Sequence, residues 1–132
     1  MKAINQKAAA ILNHLTQDLN TLGDHRRWEN SPAFMAVCVE YINDTDLGPV
    51  FSVAHYYEQN GDLMRDPEMT FLRRDDGSYY PLSYQQDGLG LYQESVIFGE
   101  DGNPEKFIPA MQRDHTLFAG QWMQNIKEQQ GL

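Results

Sequence analysis

The hydrophobic period of the chain changes twice, and that limits the folds open to it. Ile4, Ala8, Ile11, Leu12, Leu15, Leu19 and Leu22 recur at the spacing of one helical face, and Gly23 follows as a helix stop. From Phe34 the period falls to two residues and stays there for most of the chain. It returns to helical spacing at Ile108, Met111, His115, Phe118, Trp122 and Ile126, with Ala119 and Met123 beside them. Pro109 suits the first turn of that helix. A run of strands between two terminal helices predicts an α+β fold. The sheet is expected to be antiparallel, with about five strands and both helices on one face, the other face being more polar.

Strands are expected over 34–42, 50–58, 68–74, 79–86 and 91–98. Asn43-Asp44-Thr45-Asp46, Asp75-Asp76-Gly77-Ser78 and Asp87-Gly88-Leu89-Gly90 separate them, and Gly99 to Pro104 ends the sheet. Pro81 marks the fourth strand as an edge or an interrupted one. The stretch from Asp24 to Pro32 reads as a loop, with Trp28 packed over the helix end. At 132 residues, 41% hydrophobic and 22% charged, residues 1–132 are expected to form one domain with its own core.

The formal net charge is −9, and it is unevenly placed. Residues 40–105 hold fourteen Asp/Glu against three Lys/Arg, while the flanking segments each carry a net +1. Such a surface repels phosphate backbones and attracts a basic protein surface. The expected partner is therefore a protein with a basic surface, with no direct nucleic-acid contact. No apolar run nears the roughly 20 residues of a membrane span, and the first turn leads into a polar-faced helix. One cysteine, Cys38, lies in an apolar strand run and reads as a small buried hydrophobe rather than a catalytic thiol. No membrane contact and a reducing, cytoplasmic setting are expected.

The densest polar stretch runs from His55 to Met69, His55-Tyr56-Tyr57-Glu58-Gln59-Asn60-Gly61-Asp62-Leu63-Met64-Arg65-Asp66-Pro67-Glu68-Met69. Asn60-Gly61 signals a turn and Asp66-Pro67 a second change of direction, so residues 59–67 read as a connection too long for a minimal hairpin. It has three readings. Its Asx side chains can serve only the loop backbone, with Arg65 paired to a neighbouring carboxylate. Tyr56, Tyr57, Glu58, Asp62, Arg65, Asp66 and Glu68 can form a binding surface with aromatic and arginine anchors. His55, Glu58, Asp62, Asp66 and Glu68 can hold a divalent metal, although a regular strand points His55 and Glu58 to opposite faces.

Elsewhere the chemistry is thin. His14 is expected in solvent and His115 in the core with a hydrogen-bond partner. His25 has no Cys or second His nearby. No phosphate loop, paired-cysteine motif or HExxH is present, and Ser52, Ser83 and Ser95 lack a nucleophile-elbow setting. No cofactor is expected. The tyrosine-rich strand from Tyr79 to Tyr84 has no basic residue near enough for stacking on nucleobases.

The long motif, with Pro81-Leu82-Ser83-Tyr84 and Gly90-Leu91-Tyr92 after it, resembles the hallmark of a family of small bacterial proteins carried on plasmids, integrative elements and phages. The similar region covers roughly residues 34–98. That family has no established activity, so no catalytic residue carries over. The resemblance implies a mobile-element setting, in which small acidic proteins often oppose host defence. The leading expectation is a non-enzymatic binding protein that inhibits a CRISPR or restriction complex by occupying its basic groove. The alternatives are a metal-dependent hydrolase using His55 and the nearby carboxylates, and an accessory subunit of a mobile-element protein.

Overall fold

The first helix, α1, forms over Gln6–Leu15 in a computed structural model describing residues 1–132. Asn5 caps it, its side chain accepting from the Ala8 amide at 2.8 Å. Ala8, Ile11, Leu12 and Leu15 are its buried face. The expected stripe ran on to Leu22, but the helix stops at Leu15. Beyond it the Asp24 carboxylate accepts from the Asn20 and Thr21 amides and holds them in a loop. Leu19 still reaches the core, whereas Leu22 is 55% exposed.

Six strands follow as an antiparallel meander in sequence order: β1 (His25–Trp28), β2 (Val37–Thr45), β3 (Gly48–Gln59), β4 (Asp62–Arg73), β5 (Tyr79–Gln86) and β6 (Leu91–Glu94). The segment expected as a loop at Asp24–Pro32 thus contributes β1, an edge strand with Arg27 opposite Cys38. Trp28 does pack over the helix end, its indole N–H donating to the Leu15 carbonyl at 3.0 Å. That bond satisfies one of the carbonyls a helix leaves free at its C-terminus.

The expected connection over 59–67 is instead strand. Asn60 and Gly61, at φ 52° and 87°, close a two-residue hairpin directly between β3 and β4. Asp66-Pro67 makes no turn. The pair stands opposite His55 as a bulge within β4, where proline costs no ladder bond. Pro81 lies beside a similar bulge at Leu82, and β6 reaches only the far half of β5, from Ser83 to Gln86.

The expected strand over 91–98 breaks at Ser95. The buried Ser95 amide and hydroxyl both donate to the Leu82 carbonyl, at 2.9 and 3.1 Å, and the Ile108 amide donates to the Ser95 carbonyl. The chain leaves the main sheet there, so β7 (Val96–Phe98) pairs with β8 (Pro104–Phe107) in a separate hairpin. Pro104 therefore begins a strand rather than ending the sheet region. The Asn103 side chain pins the hairpin to Asp46 through two bonds, of 2.7 and 2.8 Å.

The last helix, α2 (Pro109–Gln130), starts on its proline and ends at Gly131. Its buried face keeps His115, Ala119, Trp122, Met123 and Ile126 of the expected stripe and departs from it at the edges. Gln112 and Gln130 lie inside, while Ile108 and Phe118 are exposed. Gln130 accepts from the Asn30 amide at 2.8 Å and donates to the Met35 carbonyl at 3.1 Å, tying the loop before β2 to the helix end. No helix is long and apolar enough to cross a membrane.

Both helices pack on one sheet face. Ile11, Leu12, Leu15, Trp122, Met123 and Ile126 meet Val37, Val39, Phe51, Val53, Met69 and Phe71 there. The alternate residues form the opposite face, which no helix covers. One cross-strand row is Glu40, Ser52, Thr70, Ser83 and Glu94, and its neighbour is Cys38, Ala54, Glu68, Gln85 and Tyr92. A small apolar cluster of Val50, Leu72, Leu82 and Val96 lies at one end of this face.

Candidate functional site

The β3–β4 hairpin divides the expected site residues between the two faces. Tyr56 pairs with Arg65 across the hairpin, and Tyr57 with Met64. Strand alternation and the bulge send Tyr56, Arg65 and Glu68 to the open face, and His55, Tyr57 and Met64 to the helix side. Glu58 and Asp62 stand exposed near the hairpin tip and form no ion pair. Asp66 points away from the open cluster and accepts from the Gln86 side chain at 3.1 Å.

Arg65 organises the open-face group. Its Nε lies 3.6 Å from Glu68 and its Nη1 3.4 Å from Asp87. The Arg65 backbone N–H also donates to Asp87 at 2.9 Å, and Gln85 donates to the other oxygen of that carboxylate at 3.0 Å. Asp87 thus occupies the place a further strand would take against β4. These donors, the Arg65 amide first, hold the Asp87 carboxyl below the usual range. The sequence presents Asp87 only as a turn former. Its contact with Arg65 spans 22 residues, and no local spacing signals it.

Glu68 is shifted the other way. Burial pushes its carboxyl above the ordinary value, Arg65 opposes the shift, and Asp87 and Glu40 add to it. Burial, reinforced by the Glu68 charge, likewise raises the Tyr56 phenol. Such a half-desolvated carboxylate beside an arginine and a tyrosine suits recognition of a charged partner, because part of the desolvation cost precedes contact.

The metal-ligand set does not assemble. His55 is buried against α2, where the Trp122 indole N–H donates to its Nδ1 at 3.4 Å and the two rings meet edge to face. Glu68 lies across the sheet from it, and Glu58 and Asp62 belong to the tip. No three His, Cys, Asp or Glu side chains converge on a point that could hold a metal. Cys38 is not in the core. It is half-buried on the open face, with Arg27 as cross-strand neighbour. His115 is a core histidine, bonded to the Ser95 hydroxyl and the Gln93 amide at 2.9 Å each and stacked on Tyr84.

Beside the charged group a groove of about 380 Å³ lies on the open face against β7. Thr70 and Ser83 form its floor, their hydroxyls 2.5 Å apart. Tyr92 and Glu94 close one end at β6, joined by a hydrogen bond of 2.6 Å. That bond, with burial, pushes the Tyr92 phenol up to about 12.

No curated protein and no solved structure matches the chain. A family model described as a domain of unknown function, DUF6908, matches residues 2–132. With nearly every residue covered, the chain belongs to the DUF6908 family.

Proposed function

We propose that the chain is a non-enzymatic binding module that presents its open sheet face to a basic protein surface. The observation that carries this reading is the asymmetry of the sheet. One face is filled by two helices, while the other carries Glu40, Glu68 and Glu94, with Arg65 held between Glu68 and Asp87 and Arg27 paired to Glu29 at the β1 edge. A sheet face that serves only solubility has no need of a half-buried carboxylate. The contact surface under this reading is Tyr56, Arg65, Glu68, Asp87 and Glu40. Glu58 and Asp62 act at the rim, and Tyr57 and Asp66 support from behind. The motif of residues 55–69 supports a narrower version, in which the chain serves a bacterial mobile element by blocking a host defence complex in the cytoplasm.

Capture from bacterial lysate tests this, comparing the wild-type chain with Glu40→Lys/Glu68→Lys. The expected result is a basic protein retained at low salt by the wild type, lost as salt rises, and absent from the variant. The same proteins retained by both would contradict the reading. A nuclease or surveillance complex among the lost proteins would favour the inhibitor. A protein of the same mobile element would make the chain an accessory subunit instead.

A further inference from the structure

The groove beside β7 adds a second kind of chemistry to the open face. Its walls are apolar: Ile97 and Phe98 line one side, and Ile42, 40% exposed, stands at the β2 end. Its floor belongs to the cross-strand row that begins at Glu40 and ends at Glu94. Those carboxylates stand on β2 and β6, four strand spacings or roughly 19 Å apart. Neither forms an ion pair within the chain. The apolar strip therefore runs from Glu94, which accepts from the Tyr92 hydroxyl, to Ile42 on β2, with Glu40 two residues before Ile42 on the same strand.

We propose that this groove takes an amphipathic peptide segment of the partner, laid across the strands, with aliphatic side chains against Ile42, Ile97 and Phe98 and a basic side chain at each end, on Glu40 and Glu94. The proposal rests on the reading of the open face as a protein-binding surface and specifies what that surface grips. Charge complementarity selects the occupant, since an acidic or neutral segment would leave both ends unmatched. The span sets its length. An extended chain covers roughly 19 Å in about six residues, so the two basic residues fall about five or six positions apart.

Selection from a displayed library of random 12-residue peptides on the immobilised full chain tests this. Enriched peptides should carry two Lys or Arg five or six positions apart with Val, Ile or Leu between them. Synthetic copies should bind Ile42→Ser and Glu94→Gln each about fivefold more weakly, and Glu128→Gln, on the exposed side of α2, as tightly as wild type. Ile42 and Glu94 are exposed, so both variants keep the fold, and an unchanged thermal melt verifies it. No enrichment, a different pattern, or binding indifferent to Ile42 and Glu94 would overturn the assignment. Self-association lost in the same two variants would overturn it too, by giving the groove to a second copy of the chain. If lysate capture still depends on Glu40 and Glu68 while the peptides ignore Ile42 and Glu94, only the groove assignment fails. If neither measurement responds, the binding face fails with it.

Discussion

Glu68 shows how a single half-buried carboxyl ties stability to pH. Burial raises its folded pKa above the ordinary 4.5, so its contribution to stability is full below that value and is lost as pH rises through the folded pKa. At neutral pH the ionised form burdens the fold. Glu68→Gln is therefore expected to melt higher than wild type at pH 7, with the gain vanishing by pH 4, read by calorimetry. The two core histidines act in the opposite range. Burial lowers both His55 and His115 from 6.5, so the unfolded chain takes up protons first as pH falls. Their contribution is full above 6.5 and is lost as pH drops toward the depressed folded values. Melting temperature should fall between pH 7.5 and 5.5, and less steeply in His55→Asn, which keeps an acceptor for Trp122 without the titration. Gly48 is constrained by space rather than charge. At φ 143° an added Cβ would stand 2.0 Å from the Arg73 carbonyl oxygen, so Gly48→Ala should cost on the order of 2–3 kcal/mol in urea unfolding.

Among the elements, the β3–β4 hairpin places most of the candidate residues. Its turn needs two consecutive positive φ angles, which Asn60-Gly61 supplies. Asn60→Ala should destabilise by about 1 kcal/mol and Asn60→Gly hardly at all, in the same urea assay. The sequence is also least legible in this hairpin. Asn-Gly announced a turn, yet Glu58, Gln59 and Asp62 are polar on both faces, because the tip extends past the helix layer and buries neither side. With no apolar alternation, strand was indistinguishable from loop, and Asp66-Pro67 read as a break instead of a bulge. The strand β1 escaped for a related reason, since His-Arg-Arg-Trp has one apolar residue in four. The two helices and the central strands, by contrast, each bury one face, and that requirement writes a period into the sequence. The break at Ser95 left no period to see, because it depends on three backbone and side-chain bonds to residues 13 away in either direction.

For the whole molecule, the separation of charge matters most. Lys2, Lys7, Arg113 and Lys127 belong to the terminal helical segments, while the carboxylates concentrate in the sheet region. The helical segments and the sheet region therefore differ in charge, and under the proposed reading a basic partner approaching by diffusion is drawn toward the sheet region. The charge asymmetry is legible in the sequence, and so are Tyr56, Arg65 and Glu68 as candidates. The face they share is not, because facing depends on a bulge, nor is the Asp87 contact with Arg65, which depends on folding. Carboxyl footprinting of the lysate-captured complex tests the central claim most directly, by comparing modification of each Asp and Glu in the free and bound chain. The account predicts protection at Glu40, Glu68, Asp87 and Glu94, with Asp114 and Glu128 on α2 unchanged. Protection confined to Asp114 and Glu128 would place the contact on the helix layer and contradict it.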